Sequence, residues 1–329
     1  MLSGFIARSE RWPLARPFRI SRGVKTEAVV TVVEARVGDI VGRGESVPYA
    51  RYNETPESVL QQLEVLKSLS PFELTRARLE TLLPAGAARN AVDCALWDLE
   101  ARTSGKSVAQ LIGQSVPASY STAVTISIDT PENMAAAARD VASSKVIKIK
   151  VDDQTPQAAI EAVASVAPDA QLIIDPNESW NIDLLRELQP FLAKHRIAFI
   201  EQPLPGSQDA ALETFTPLVP LCADESVHTV SGLEQIARRY QVVNIKLDKT
   251  GGLTEALRLR QAARDRKLQV MIGCMVCTSL SIAPALQIAA HADYADLDGP
   301  WWLAKDRDQG VLIDKGQLTL SQPFLWGNQ

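Results

Sequence analysis

Eight short apolar segments of this 329-residue chain each end in a polar or charged residue, and most of these residues can take part in catalysis. The endings lie 22 to 28 residues apart. In chain order they are Thr125, Lys150, Asp175, Glu201, Asp224, Lys246, Cys274 and the pair Asp296 and Asp298. Three consecutive endings are carboxylates, and a lysine ends the segment on each side of them. This arrangement predicts a divalent-metal site between two amine bases.

Asp175, Glu201 and Asp224 place one carboxylate at the end of each of three successive segments. Oxygen ligands of this kind suit Mg²⁺, with Mn²⁺ as the alternative. An acid after a strand can instead cap the helix that follows, since Asp is a favoured N-cap residue. Capping explains Asp175 or Asp224 singly, but it explains Glu201 and three aligned acids poorly. The sequence therefore predicts that these acids are metal ligands.

Lys148 and Lys150 alternate with isoleucines and therefore share one face of their strand. A solvated edge strand shows the same pattern, but a barrel strand needs an apolar outer face, which turns both lysines inward. Burying two ammonium groups is costly without anionic partners, and the next three strands supply these partners. Lys246 would approach a central substrate from the side opposite Lys150. The pair could remove a proton from one face of a carbon and return one to the other, while the metal stabilises the developing charge.

Asp296 and Asp298 share one face of the eighth segment, with Leu297 between them. A loop aspartate followed by a helix cap would give the same letters. The paired acids lie far along the chain from the predicted metal ligands and are therefore available to hold a cation. We predict that they bind an ammonium group of the substrate.

The spacing of the endings also predicts the fold. Each interval is long enough for one strand, a helix of about three turns and two loops. Because no hairpin signal interrupts the series, it indicates a closed parallel barrel of the (β/α)8 type over residues 116–299. The catalytic groups of such barrels sit at the C-terminal ends of the strands, where this chain has its charged residues.

Residues 1–115 follow a different pattern, typical of an α+β domain that caps the barrel. The apolar run at 29–37 and the glycine-rich stretch Gly42–Glu45, interpreted as a turn, predict an antiparallel meander. Helical periodicity follows at 56–68, 71–83 and 87–103. The domain boundary is predicted near Gly113–Pro117. The tail, residues 300–329, is too short for another barrel unit and is predicted to complete the first domain.

Composition excludes several classes of protein. A net charge of -5 and a pI near 5.4 argue against nucleic-acid binding. The start of the chain has no apolar stretch of signal-peptide length, and no segment approaches about 18 consecutive apolar residues, so a cytoplasmic protein without a membrane span is expected. None of the three histidines ends a segment, which favours lysine as the base. The sequence leaves open whether the chain forms a homo-oligomer.

At these motifs the chain resembles the enolase superfamily, in its muconate lactonizing enzyme subgroup. Within the subgroup it most resembles the bacterial dipeptide epimerases that act on L-Ala-D/L-Glu. The resemblance covers nearly the whole chain and rests on KIK (148–150), EQP (201–203), DESVHT (224–229), NIKLDKTGGLTEAL (244–257), IGCMVCTS (272–279) and DLDGPWWLA (296–304). One departure is Pro176, where the superfamily often has alanine, and it leaves both flanking polar side chains in place.

The resemblance implies a modified (β/α)7β TIM barrel and substrate contacts at Thr125, Lys148 and Cys274. It also implies that loops of the capping domain select the substrate. Arg22 is the candidate for binding a glutamate side chain, with Lys25 or Arg51 as alternatives. The acids that match Asp296 and Asp298 hold the free ammonium group of the dipeptide in that family.

These observations predict a Mg²⁺-dependent epimerase that inverts the C-terminal residue of a dipeptide, with L-Ala-D-Glu from peptidoglycan turnover as the expected substrate. A cycloisomerase, an o-succinylbenzoate synthase or an N-acylamino acid racemase would share the lysines and metal ligands but offers no ammonium group for Asp296 and Asp298. A Schiff-base aldolase would use one barrel lysine as a nucleophile but leaves the three carboxylates unexplained. The remaining alternative is a non-catalytic metal-binding protein.

Overall fold

An antiparallel sheet begins the fold. The computed structural model describes residues 4–67 and 74–328. The predicted meander is confirmed, with strand order β1-β2-β3. Its strands are β1 (Gly4–Ile20), β2 (Gly23–Val37) and β3 (Ile40–Ser46). The middle of β2 is buried on both faces, since Val30 and Val32 pack in one apolar cluster and Val33 and Ala35 in another.

The prediction of a turn at Gly42–Glu45 is wrong, because these residues lie inside β3. The turn falls at Gly38, which has a φ of 57°. Gly44 serves close packing instead, since a Cβ atom there would lie 2.1 Å from the backbone oxygen of Ala91. The glycines of β3 therefore allow a helix to lie directly on the strand.

That helix is the third of four α-helices in the part of the capping region that the structure describes. The helices are α1 (Pro56–Lys67), α2 (Arg76–Leu82), α3 (Ala87–Ser104) and α4 (Val108–Leu111). The first three confirm the predicted helical segments, although positions 68 and 71–73 of those segments lie outside the described residues. Helix α3 is buried along almost its whole length. Its Arg89 donates a 2.7 Å hydrogen bond to the backbone oxygen of Thr250 in the barrel, which fastens the cap to the barrel.

The predicted barrel is confirmed as eight parallel strands, ordered along the sheet from β5 to β12. A 2.7 Å backbone hydrogen bond from Ala123 to Ala295 joins its two edges. Within the described residues no α-helix follows the last strand, in keeping with a (β/α)7β barrel. Strand β4 (Ser119–Ser121) precedes the barrel and is not part of its sheet. The barrel elements are β5 (Val124–Ile126), α5 (Pro131–Asp140), β6 (Val146–Lys150), α6 (Pro156–Val166), β7 (Gln171–Asp175), α7 (Ile182–Leu192), β8 (Ile197–Glu201), β9 (Leu221–Ala223), α8 (Leu233–Arg239), β10 (Val242–Ile245), α9 (Leu247–Thr250), α10 (Leu253–Asp265), β11 (Gln269–Gly273), α11 (Ser279–Ala289) and β12 (Tyr294–Asp296).

One barrel connection differs from the prediction of a three-turn helix in every interval. Between β8 and β9 the chain forms only a 3₁₀ helix, Asp209–Thr214. Proline fixes φ and disfavours helical geometry in the residue before it. Prolines at 203, 205, 217 and 220 therefore bracket the 3₁₀ helix and limit how far a helix could extend at either end.

The tail contacts both parts of the molecule. Strands β13 (Val311–Asp314) and β14 (Gln317–Leu320) form a hairpin that pairs with β4. The last described residues reach the cap, where Trp326 Nε1 donates to the backbone oxygen of Arg43 (2.9 Å) and the Gly327 N–H donates to Asp98 (2.8 Å). We therefore propose that residues 1–115 and the tail 300–329 form one capping domain over a barrel of residues 116–299, residue 329 lying outside the described part.

Candidate active site

The capping domain lies across the C-terminal end of the barrel. The backbone N–H of Arg19 donates a 2.6 Å hydrogen bond to Ser127 after β5, and Ser21 donates to the backbone oxygen of Pro176 after β7 (3.0 Å). Between cap and barrel is a pocket lined from the cap by Phe18, Ile20, Arg22, Lys25, Tyr49 and Tyr52, and from the barrel by Thr125, Lys148, Lys150, Asn177, Asp224, Glu225, Lys246, Cys274, Asp296 and Asp298, among others.

A buried ammonium group stands at the centre of this end of the barrel. Lys148 Nζ lies 3.0 Å from Asp175, 2.7 Å from Glu201 and 2.8 Å from Asp296. The Lys148 side chain is only 2% exposed, so these carboxylates replace the water it gives up. Burial alone would lower the pKa of Lys148, but Asp175 and Asp296 outweigh that effect and raise the pKa well above its usual value.

The two predicted bases each contact one of the predicted metal ligands. Lys150 Nζ lies 2.5 Å from Asp175 and donates a 3.0 Å hydrogen bond to Asn177. Lys246 Nζ lies 2.6 Å from Asp224. Both lysines line the pocket, and β6 and β10 are four strands apart in the eight-stranded sheet. The two amines therefore approach the pocket from opposite sides.

The carboxylates differ in how well their charge is compensated. Burial raises the pKa of Asp175, but Lys148 and Lys150 lower it more, and the net shift is downward. Burial and then the Asp175 carboxylate raise the pKa of Glu201, to about 8, against the opposing effect of Lys148. Glu201 Oε2 accepts no hydrogen bond within the described residues, although it lies close to Lys148. The negative charge around Glu201 is therefore incompletely balanced.

The predicted metal ligands fit a hard divalent cation by their chemistry. Asp175, Glu201 and Asp224 offer only oxygen donors, and a cation would compensate the charge at Glu201. Among residues 4–67 and 74–328, however, no group of three or more histidine, cysteine or acidic side chains is arranged to hold a metal ion. The reason is visible in the contacts, since ammonium groups occupy the space between the carboxylates. A metal ion bound here would share these carboxylates with the lysines.

The end of the eighth strand and the turn after it bring both predicted ammonium ligands to the pocket, Asp298 preceding a 3₁₀ helix. Lys148 donates a hydrogen bond to Oδ2 of Asp296, while Oδ1 of Asp296 is buried without a hydrogen-bond partner among the described residues. Asp298 Oδ2 accepts the backbone N–H of Thr125 at 2.7 Å. Burial and the neighbouring Asp296 raise the pKa of Asp298 to about 6. An ammonium group placed here would restore the balance of charge.

Two cationic side chains of the cap, Arg22 and Lys25, line the pocket, and they differ in their contacts with carboxylates. Arg22, in the β1–β2 turn, contacts Glu225 at 2.7 Å and Glu178 at 3.1 Å. Lys25 lies 4.7 Å from the centre of the Tyr49 ring and makes no ion pair with a carboxylate in the described parts of the chain. Burial lowers the pKa of Lys25. Arg51, the other alternative, is held by two hydrogen bonds to Glu178 and does not line the pocket.

The structure brings the eleven predicted site residues together. Nine line the pocket, and the other two, Asp175 and Glu201, lie beneath Lys148 with no exposed surface. Sequence reasoning missed several neighbours that complete the network. Asn244 donates a 2.8 Å hydrogen bond to Glu201. Asn244 lies two residues before Lys246 on the same strand face, and this spacing could have identified it. No sequence pattern indicated that Glu225 contacts the cap.

Opposed lysines and three acids at the mouth of a capped parallel barrel define an enzyme of acid–base chemistry. Comparison with known families agrees. Residues 3–113 match the family described as Mandelate racemase / muconate lactonizing enzyme, N-terminal domain, and residues 133–323 match Enolase C-terminal domain-like. The chain belongs to the enolase superfamily, in its mandelate racemase and muconate lactonizing enzyme branch.

Two relatives indicate the chemistry more narrowly. The chain is 47% identical to the L-Ala-D/L-Glu epimerase of Escherichia coli, over 94% of this chain and 98% of that one. It is 44% identical to an N-acetyl-D-glutamate racemase of Pseudoalteromonas, over 88% and 92% of the two chains. The relatives are epimerases and racemases, and the chain is an isomerase. This sets aside the aldolase and the non-catalytic alternative.

Solved structures show the same architecture. An enolase family member from Agrobacterium tumefaciens with homology to dipeptide epimerases, crystallised with sodium and L-Ala-L-Glu, superimposes with a TM-score of 0.95 at 44% identity and covers 98% of this chain and 99% of that one. A dipeptide epimerase from Methylococcus capsulatus in complex with Mg and L-Arg-D-Lys gives a TM-score of 0.89 at 30% identity, covering 99% and 98%.

Proposed function

We propose that this chain is a Mg²⁺-dependent epimerase that interconverts L-Ala-D-Glu and L-Ala-L-Glu by inverting the α-carbon of the C-terminal residue. The observation that carries the proposal is the pair of lysines, Lys150 and Lys246, on opposite sides of one pocket. The relatives and the solved complexes with dipeptides support the substrate class. We place the reaction in peptidoglycan turnover in the cytoplasm.

The lysines divide the reaction between the two faces of the α-carbon. One takes the α-proton while the other, as an ammonium group, returns a proton to the opposite face. We assign Lys150 to the D-residue and Lys246 to the L-residue, as the family resemblance implies. Mg²⁺ held by Asp175, Glu201 and Asp224 would supply positive charge that binds the substrate carboxylate and stabilises the charge that develops as the proton leaves. Thr125, Lys148 and Cys274 line the pocket around the dipeptide.

The two ends of the substrate meet different parts of the molecule. We assign the free ammonium group to Asp296 and Asp298, whose incompletely compensated charge favours a cation. We assign the glutamate side chain to the cationic side of the pocket, formed by Lys25 and Arg22 of the cap. Lys25 is the stronger candidate because Arg22 already contacts two carboxylates. The resemblance alone had favoured Arg22.

N-acetylglutamate racemisation is the second candidate, favoured by the similarity to the Pseudoalteromonas enzyme. The chemistry at the α-carbon would be the same, and the side-chain carboxylate would be the same. Only the group at the amino end differs, since an acetyl group carries no charge to pair with Asp298. The acids of the eighth strand therefore decide between the two substrates.

Removal of divalent cations should abolish turnover. Without the cation, the substrate carboxylate must enter beside three acids, so EDTA should stop epimerisation of L-Ala-D-Glu and added Mg²⁺ should restore it. Glu201→Gln should weaken Mg²⁺ binding in isothermal titration calorimetry, whereas Glu187→Gln, at an exposed acid, should not. Full activity of rigorously metal-free enzyme would contradict the metal assignment.

Substitution of either base should separate proton exchange from epimerisation. In D₂O, Lys150→Met should lose epimerisation in both directions yet still exchange the α-proton of L-Ala-L-Glu through Lys246. Lys246→Met should show the converse, with exchange only from L-Ala-D-Glu. Deuterium incorporation is measured by mass spectrometry after chiral separation, with Lys145→Met as an exposed lysine control. Normal epimerisation by Lys246→Met would rule out the two-base mechanism.

Asp298→Asn should distinguish a dipeptide from an acetylated amino acid. Because the substitution removes an anion that faces the substrate ammonium group, kcat/KM for L-Ala-L-Glu should fall about tenfold, or about 1.4 kcal/mol. The value for N-acetyl-D-glutamate should change little, and Asp308→Asn, at an exposed acid, should affect neither. If the unmodified enzyme turns over N-acetyl-D-glutamate faster than the dipeptide, the racemase becomes the better assignment.

Lys25→Met and Arg22→Met should affect selectivity differently. The measurement is the ratio of kcat/KM for L-Ala-D-Glu to that for the uncharged L-Ala-D-Gln. Lys25→Met should lower the ratio about tenfold, since it removes a cation with no competing acid. Arg22→Met should lower the ratio less but reduce thermal stability, because Glu225 is left buried without its partner. A larger loss of selectivity in Arg22→Met would return the role to Arg22.

A further inference from the structure

A fourth buried lysine, beside Lys148, Lys150 and Lys246, has no part in the proposed chemistry. Lys249 lies on the one-turn helix α9, three residues after Lys246, and its side chain has no exposed surface. Its ammonium group does not line the pocket. Burying a lysine so completely is costly, so its contacts must compensate a whole charge.

Those contacts converge on one residue. Lys249 Nζ donates to Asp224 Oδ1 at 2.6 Å, to the backbone oxygen of Asp224, and to the backbone oxygen of Asn244 at 2.9 Å. An ammonium group has three N–H donors, and here each has an acceptor. Lys249 therefore has no donor left for a substrate. Its position joins the end of β9, at Asp224, to β10, at Asn244.

The Asp224 carboxylate is held from two sides. Lys249 contacts Oδ1, whereas Lys246 contacts Oδ2 at 2.6 Å. The backbone N–H of Asp224 is also fixed, by a 2.9 Å hydrogen bond to Gln202. With one oxygen bound to Lys249, the carboxylate cannot rotate without breaking that contact. The oxygen that faces Lys246 is thereby kept in place.

The base on the other side has separate partners. Lys150 contacts Asp175 and Asn177, and Lys249 contacts neither of them. A change at Lys249 therefore reaches Lys246 through one shared carboxylate. It could reach Lys150 only through the cation that Asp224 would share with Asp175, and a measurement of Mg²⁺ binding detects that route. Unequal effects of a Lys249 substitution on the two bases would therefore distinguish a role in positioning Lys246 from a general contribution to folding.

We propose that Lys249 is a positioning residue that fixes the Asp224 carboxylate and, through it, the orientation of Lys246, so that it controls proton transfer on the Lys246 face alone. The proposal rests on the two-lysine function proposed above. It gives a structural reason why Lys246 and Lys249 lie three residues apart in the chain. The helix turn between them places one lysine in the pocket and the other behind the carboxylate.

The test compares exchange of the α-proton from the two epimers in D₂O, at initial rates and saturating Mg²⁺. In Lys249→Met, exchange from L-Ala-L-Glu should fall at least tenfold, while exchange from L-Ala-D-Glu should stay within about threefold of the unmodified enzyme. Thr250→Val is the matched control, because Thr250 is equally buried on the same helix turn but its hydroxyl bonds, within the described residues, only to the backbone oxygens of Leu247 and Gly252. It should change neither rate.

Thermal unfolding with and without Mg²⁺ verifies that each variant is folded and binds the ion. If Lys249→Met does not fold, Lys249→Gln, which keeps two N–H donors, should show the same asymmetry with a smaller loss. Equal losses for both epimers, or no loss for either, in a folded variant would overturn the proposal. Absence of exchange from both epimers in the unmodified enzyme would instead refute the proposed function, so the two failures are distinguishable.

Discussion

The arrangement of the site depends on the cost of burying charge. Lys148, Lys150, Lys246 and Lys249 are withdrawn from water at one end of the barrel, and this requires acids at the same depth. The acids come from positions 22 or more residues away in sequence, as in the pairing of Lys246 with Asp224 and of Lys150 with Asp175. Removing one partner would leave its opposite buried and uncompensated. The charges therefore constrain one another, and the barrel positions all of them together.

The cost of burying charge also explains why each base contacts a proposed metal ligand. Asp175 contacts Lys150, and Asp224 contacts Lys246, so each base shares a carboxylate with the cation we propose. Burial lowers the pKa of Lys246, but Asp224 and Glu201 outweigh it and raise the pKa above its usual value. An amine held as an ammonium group is ready to donate a proton. A cation bound to the same carboxylate would compensate its charge and lower the pKa of the lysine, which favours the base form. Charge at the acids and proton affinity at the lysines are thus linked.

Proton transfer and recognition of the substrate side chain are assigned to different parts of the chain. The groups assigned to proton transfer lie at the ends of barrel strands, which the sheet fixes, while Lys25, Tyr49 and Arg22 come from the cap. Lys25 makes no ion pair with a carboxylate in the described residues, so a change there leaves the buried charges of the barrel paired. This separation is consistent with relatives that include an L-Ala-D/L-Glu epimerase and a dipeptide epimerase crystallised with L-Arg-D-Lys.

The sequence predicted what depends on local periodicity. Alternation in a strand and the regular spacing of strand ends were sufficient for the barrel and the charged residues at its mouth. The prediction of a turn at Gly44 was wrong, because a glycine is compatible both with a turn and with a strand on which a helix packs closely. The role we infer for Lys249 also could not be predicted from the sequence, since it depends on which carboxylate the ammonium group contacts. Residue types at strand ends can be read along the chain, whereas their partners become known only when the strands are side by side.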